Sequence, residues 1–137
     1  MVHALKQAHR MLQPDGVLIS AHYLAMPHLI EVHSPAAVRK MGWILDRNGF
    51  ADELSSSNAL AQVVADRYYS LQDELDFVYP FYADNLTEYQ AWMTDYWSSI
   101  YLPDTTYQQL EEYLRAAGPS AKIVLAMRAR MTKLKVQ

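Results

Sequence analysis

The chain has 137 residues, 51% hydrophobic and 20% charged, which is long enough for one domain with a sizeable core, and its 12% aromatic content excludes a disordered chain. Without cysteine it has no disulfide framework, thiolate metal site or cysteine nucleophile. Its net charge of −3 is segregated: residues 46 to 112 carry thirteen carboxylates against Arg47 and Arg67, and Arg115, Lys122, Arg128, Arg130, Lys133 and Lys135 follow with no acid among them.

Val2, Leu5, Ala8 and Leu12, with Ala4 and Met11, recur at helical spacing and predict a helix over 2–12 that Pro14 stops. Pro14-Asp15-Gly16 supplies a turn, since proline presets φ and glycine accepts conformations closed to other residues. The unbroken apolar run Val17-Leu18-Ile19 predicts a strand covered on both faces, as in a parallel sheet. His22 to His28 reads as an irregular connection at that strand's end, where open α/β sheets place their ligands. Ser34-Pro35 predicts a helix start and Asn48-Gly49 its end, with Val38, Met41, Ile44 and Leu45 inward.

Ala51 to Leu54 fits a short strand, and Ser55-Ser56-Ser57 a break with Asn58 as the next cap. From 59 to 117 the pattern is mostly helical. Leu60, Val63 and Val64 support one helix, and a second around 71–77 runs until Pro80. The capping box Thr87-Glu88-Tyr89-Gln90 opens a third, and residues 104–117 form a fourth, closed by Gly118-Pro119. Alternation from Ile123 to Met131 predicts a closing strand, buried on both faces at its start and on one face later, with 133–137 frayed. It turns Arg128 and Arg130 to solvent, so the basic end reads as facing the acidic middle of the same fold rather than nucleic acid.

Leu12-Gln13-Pro14-Asp15-Gly16-Val17-Leu18-Ile19 resembles the leucine-lysine-proline-glycine-glycine turn of class I S-adenosylmethionine-dependent methyltransferases, in which an amphipathic helix feeds the fifth strand of the sheet. Gln13 stands where lysine is usual and Asp15 where the first glycine is usual. A helix ending in Asn48-Gly49-Phe50 is similar to that family's next helix, and residues 122–130 to its last, antiparallel strand. The resemblance implies an α/β fold, a Rossmann-like partial sheet with a predominantly helical insertion, helix-rich with few strands. Residues 1–54 and 119–131 would form its core and 55–118 an aromatic-rich lid, within a single domain 1–137.

The family's glycine-rich cofactor loop and the ribose-holding acid would precede residue 1, and the four glycines here make no such loop. The expectation is therefore the C-terminal half of a methyltransferase-like protein, with no cofactor site in the isolated chain and no catalysis alone. S-adenosylmethionine would bind only once a missing N-terminal half completed the fold. An edge strand at 17–21 left bare in this way calls for a homo-oligomer or a partner chain to cover it, or a rearrangement that lays a helix over it.

His22 and Tyr23, at the end of the predicted strand, are the catalytic candidates, since histidine titrates near neutrality. Tyr23, His28, Tyr89, Trp92, Tyr96 and Trp97 are the candidates for contacting a small apolar or aromatic acceptor. The aromatic stretch reads equally as an oligomer interface or as helical core, and the alternative function is a non-enzymatic binding or assembly module. His22, His28, His33 and Glu31 match no metal-ligand spacing, so no metal is expected. Ser55-Ser56-Ser57 lacks the glycine elbow of a nucleophilic serine, and the carboxylates at 73–76 and 111–112 read as solvated faces. No apolar run reaches the roughly 18 residues of a membrane span, and the first residues lack a secretory pattern, so a cytoplasmic protein without a membrane partner is expected.

Overall fold

The computed structural model describes all residues, 1–137. In chain order it holds α1 (Val2–Met11), β1 (Val17–Tyr23), β2 (His28–His33), β3 (Val38–Asp46), α2 (Ala51–Ala65), β4 (Tyr69–Ala83), α3 (Leu86–Tyr96), β5 (Ile100–Tyr101), α4 (Asp104–Ala117) and β6 (Lys122–Val136). The strand order is β1-β6-β2-β3-β5, with β4 also on β6, and the sheet is antiparallel. Strand content is 39% against 36% helix, which overturns the expected helix-rich, Rossmann-like partial sheet with few strands. No helix is long and apolar enough to cross a membrane.

Two compact units divide the chain. The first comprises Met1–Ala25, Phe50–Phe77 and Arg128–Gln137 and so takes in α1, β1, α2 and one half each of β4 and β6. Helix α1 ends where predicted. Gly16 donates its N–H to the Gln13 carbonyl at 2.9 Å, and Asp15 adopts a left-handed φ of 64°. Asp15 is thus in a conformation that glycine takes without strain and aspartate tolerates.

A Cβ on Gly16 would lie 2.7 Å from the Gln13 carbonyl oxygen, a backbone atom that cannot swing away. Gly16→Ala is therefore expected to lower stability by about 1–3 kcal/mol in a urea melt.

Strand β1 pairs with β6 from Val17 opposite Lys135 to Tyr23 opposite Ala129. The expected burial on both faces fails. Leu18 packs on the core, whereas Ile19 is 61% exposed, because antiparallel neighbours here leave one sheet face to solvent. The core of this unit is Leu5, Ala59, Leu60, Val63, Tyr69 and Leu134.

Three further corrections fall on α2 and β4. Residues 51–54 are the first turn of α2 rather than a strand, and Ser55 to Asn58 continue it rather than break it. Residues 71–77 lie in strand β4, not in a helix. Arg130 meets Asp76, Thr132 meets Glu74 and Ser70 meets Lys135, so numbers rise along β4 as they fall along β6, which is antiparallel pairing. The end of β6 is ordered in the ladder through Val136 and is not frayed.

The second unit comprises Met26–Gly49 and Val78–Met127. Ser34-Pro35, expected to start a helix, instead turns a hairpin: the Ser34 N–H donates to the Ala37 carbonyl at 2.9 Å and its hydroxyl bonds the same residue. Proline suits the second position of such a turn as well as it suits a first helical turn. Residues 38–46 therefore form β3 against β2, with a register shift between Ile30 and Glu31, and the predicted helix ending in Asn48-Gly49-Phe50 does not exist. Gly42 sits inside β3, where a Cβ would come 2.7 Å from Thr106 Cγ2 of α4.

Helix α3 forms, but its cap is Asn85, whose side chain accepts from the Glu88 N–H at 2.9 Å, two residues before the predicted Thr87. Helix α4 spans Asp104–Ala117 as read from the sequence. The start of β6 is buried on both faces at Ile123, Val124 and Leu125, also as read.

Candidate functional site

Helix α2 carries Ser57, Ala61, Val64 and Ala65 along one stripe, the i, i+4, i+7, i+8 spacing of a single helix face. Within the first unit that stripe faces strand residues His22 of β1, Leu71 and Glu74 of β4, and Arg130, Thr132 and Leu134 of β6, and together they line a half-open cavity of about 440 Å³. Small side chains at 61 and 65 leave the space open. A volume of this order suits a small organic molecule, and the walls pair apolar surface with a few convergent polar groups.

His22 lies opposite Arg130 in the β1–β6 register. Its Nε2 is 3.0 Å from Ser57 Oγ, and Ser57 donates its hydroxyl to the Glu53 carbonyl at 3.2 Å. The Ser57 hydroxyl is thus within reach of both the Glu53 carbonyl and the His22 ring, whose Nδ1 has no hydrogen-bond partner. Burial, aided by the Arg130 guanidinium, pushes the His22 pKa down against the opposing pull of Glu74 and Asp76, which favours the neutral ring.

Arg130 grips Asp76 with both ends of its fork, Nε to Oδ1 at 2.6 Å and a terminal nitrogen to Oδ2 at 3.0 Å, and reaches Glu74 at 3.6 Å. The same guanidinium holds the Asp76 carboxyl below its ordinary range. The Thr132 hydroxyl donates to Glu74 at 3.3 Å. With no carboxylate on Nδ1, the His22–Ser57 pair lacks the third group that orients a base for nucleophilic catalysis.

The structure separates the other candidates. Tyr23 follows His22 on β1, and strand alternation turns it to the opposite face. His28 opens β2 in the second unit, only 1% exposed, and burial pushes its pKa down to about 4. Tyr89 is buried in α3, where desolvation, with Tyr107 nearby, pushes its hydroxyl pKa up.

Trp92, Tyr96 and Trp97 do come together. Trp92 stacks on Phe81 with ring centroids 3.6 Å apart, meets Trp97 edge-on at 4.2 Å, and has Tyr96 6.2 Å away. Side chain fills against side chain there, and Tyr96 stays 72% exposed. His28 and His33 sit at the two ends of β2 on opposite faces, and His33 pairs with Glu31 at 2.8 Å, so the histidines of the first quarter do not converge.

Sequence reasoning missed Ser57, Glu74, Arg130 and Thr132 as site residues. The available signal was the small-residue stripe 57, 61, 65 along one face of α2, together with alternation that puts 130, 132 and 134 on one strand face.

The resemblance noted in the sequence implies S-adenosylmethionine, and the residues present do not fit it. Gly16 and Gly42 are held in close contacts within the chain, while Gly49 and Gly118 sit in surface turns at positive φ, so none lines a nucleoside cradle. Compared with known protein families, curated proteins and solved structures, the chain matches none.

Proposed function

We propose that the chain is a small-molecule-binding module, the C-terminal half of a methyltransferase-like protein, which takes a small apolar ligand in the cavity under α2. On this reading it is cytoplasmic, and it neither binds S-adenosylmethionine nor catalyses methyl transfer by itself. The observation that carries the binding reading is the cavity, with its apolar wall and His22–Ser57 end. The methyltransferase-like descent draws support from α1, the turn with Asp15 in a glycine-like conformation, and a closing strand antiparallel to β1.

An apolar fluorescent dye is expected to bind the chain and to be displaced by small apolar molecules. Ala61→Phe, which fills the cavity from the α2 side, should abolish the signal while leaving the fold intact by circular dichroism. Undiminished dye binding in that variant would refute the assignment.

A second reading, assembly through β1, is favoured by one observation. β1 ends the strand order, bonded to β6 alone, and Val17–Tyr23 contains neither an acidic or lysine side chain nor a proline to guard its free edge. β4, by contrast, carries Asp73, Glu74, Asp76 and Pro80. A second copy or a partner strand on β1 would be seen as concentration-dependent mass in sedimentation, lost in Ile19→Lys. A monomer at all concentrations would dismiss it.

A further inference from the structure

We infer that the partner of β1 is a second copy of this chain, paired antiparallel with Ile19 opposite its own copy. The inference rests on the β1 assembly reading above and narrows it. Along the β1–β6 ladder the Val136 N–H donates to the Gly16 carbonyl and the Leu24 N–H to the Arg128 carbonyl, both at 2.9 Å. Gly16, Leu18, Ser20, His22 and Leu24 are therefore the residues hydrogen-bonded to β6, and Val17, Ile19 and Ala21 turn their N–H and C=O groups to the free edge. One antiparallel register lets these three residues satisfy one another across a two-fold axis. It is centred on Ile19 and sets Val17 opposite the partner's Ala21.

The side chains agree with that register. On the solvent face Val17, Ile19 and Met131 are exposed, and the pairing joins them, with Ala21 and their copies, into one apolar surface. On the α2 face His22 falls beside the partner's Gly16, which has no side chain to meet it, and Leu18 beside the partner's Ser20. Centring on Ser20 instead would set Leu18 against the partner's His22. Residues 16–21 carry no charge, so a charged partner strand would find no counter-charge among them. Of the lysines beside β1, Lys135 is paired with Asp15 at 2.8 Å. Lys133, opposite Ile19 on β6, would stand three strand spacings, about 14 Å, from its copy, beyond the screening length.

The chain has no cysteine, so single introduced cysteines report the register. The full chain should sediment as a dimer that dissociates on dilution. Under mild copper–phenanthroline oxidation Ile19→Cys should cross-link at least about tenfold faster than Val17→Cys or Ala21→Cys alone, because a hydrogen-bonded antiparallel pair sets its Cα atoms about 5.5 Å apart, within disulfide reach. Val17→Cys mixed with Ala21→Cys should cross-link as a hetero-pair. Fastest reaction at Ser20→Cys or Ala21→Cys, equal reaction at every position as in a parallel pair, or none in a protein that still sediments as a dimer overturns the inference. Loss of that dimer in Ile19→Lys would then keep the assembly reading standing. A monomer at every concentration, or a dimer that Ile19→Lys leaves intact, overturns both.

Discussion

Replacing Tyr69 by alanine should cost about 3–5 kcal/mol of unfolding free energy, a large share of the roughly 5–15 kcal/mol that holds a domain together. Tyr69 is fully buried, and its ring packs among Leu5, Ala59, Leu60, Val63 and Leu134, joining α1 and α2 to the strands of the first unit. Its hydroxyl crosses to α1 and donates to the Leu5 carbonyl at 2.9 Å, and His9 meets the ring edge-on with centroids 5.4 Å apart. The two contributions separate by substitution. Tyr69→Phe keeps the packing and removes one hydrogen bond, for about 1 kcal/mol, whereas Tyr69→Ala also opens a cavity. Urea denaturation of the two variants gives the comparison; near-equal losses would mean that the ring packing contributes little.

Acidification from pH 7 to pH 4.5 should destabilise the chain by an amount on the order of 2–3 kcal/mol, most of it through His28. Burial depresses the folded-state pKa of His28 to about 4 from an ordinary value of 6.5. A depressed pKa means that the unfolded chain takes up the proton first. The stabilisation is therefore complete above pH 6.5 and is lost progressively as pH falls toward 4. His22, lowered by burial in the same direction, adds to the slope. Asp15, Asp66 and Asp76, whose pKa values are lowered by Lys135, Lys6 and Arg130 respectively, lose their contributions only below the carboxylate range, so the window from 6.5 to 4.5 isolates the histidines. Urea midpoints measured across that window should flatten in His28→Gln. An unchanged slope in the variant would place the acid sensitivity elsewhere.

The parts of the fold that were legible are those whose signal is local. α1 has a full amphipathic face and a proline stop, α4 has inward positions at helical spacing and a glycine end, and β6 alternates over a run too long for chance. The parts that were not legible depend on pairing. Ser34-Pro35 is a helix signal and a turn signal at once, and only β2 lying alongside decides that Val38–Asp46 is its hairpin partner. β4 is exposed at nearly every position from Leu71 to Tyr82, so it shows neither strand alternation nor a buried run, and its Leu71 and Leu75 mimic helical spacing. At the site, His22 was legible from its place at a strand end. Ser57, Glu74 and Arg130 were not, because what unites them is the β1–β6–β4 register, which sets residues 35 to 108 positions away against one histidine.

The claim that the α2 cavity is the binding site is tested most directly by titrating the isotope-labelled chain with the apolar dye and mapping the backbone amide shifts. The shifts should be largest at Ser57, Ala61 and Val64 on α2 and at His22 and Thr132 on the strands that face it. Shifts confined to Trp92, Tyr96 and Trp97, or none at millimolar ligand, would contradict it.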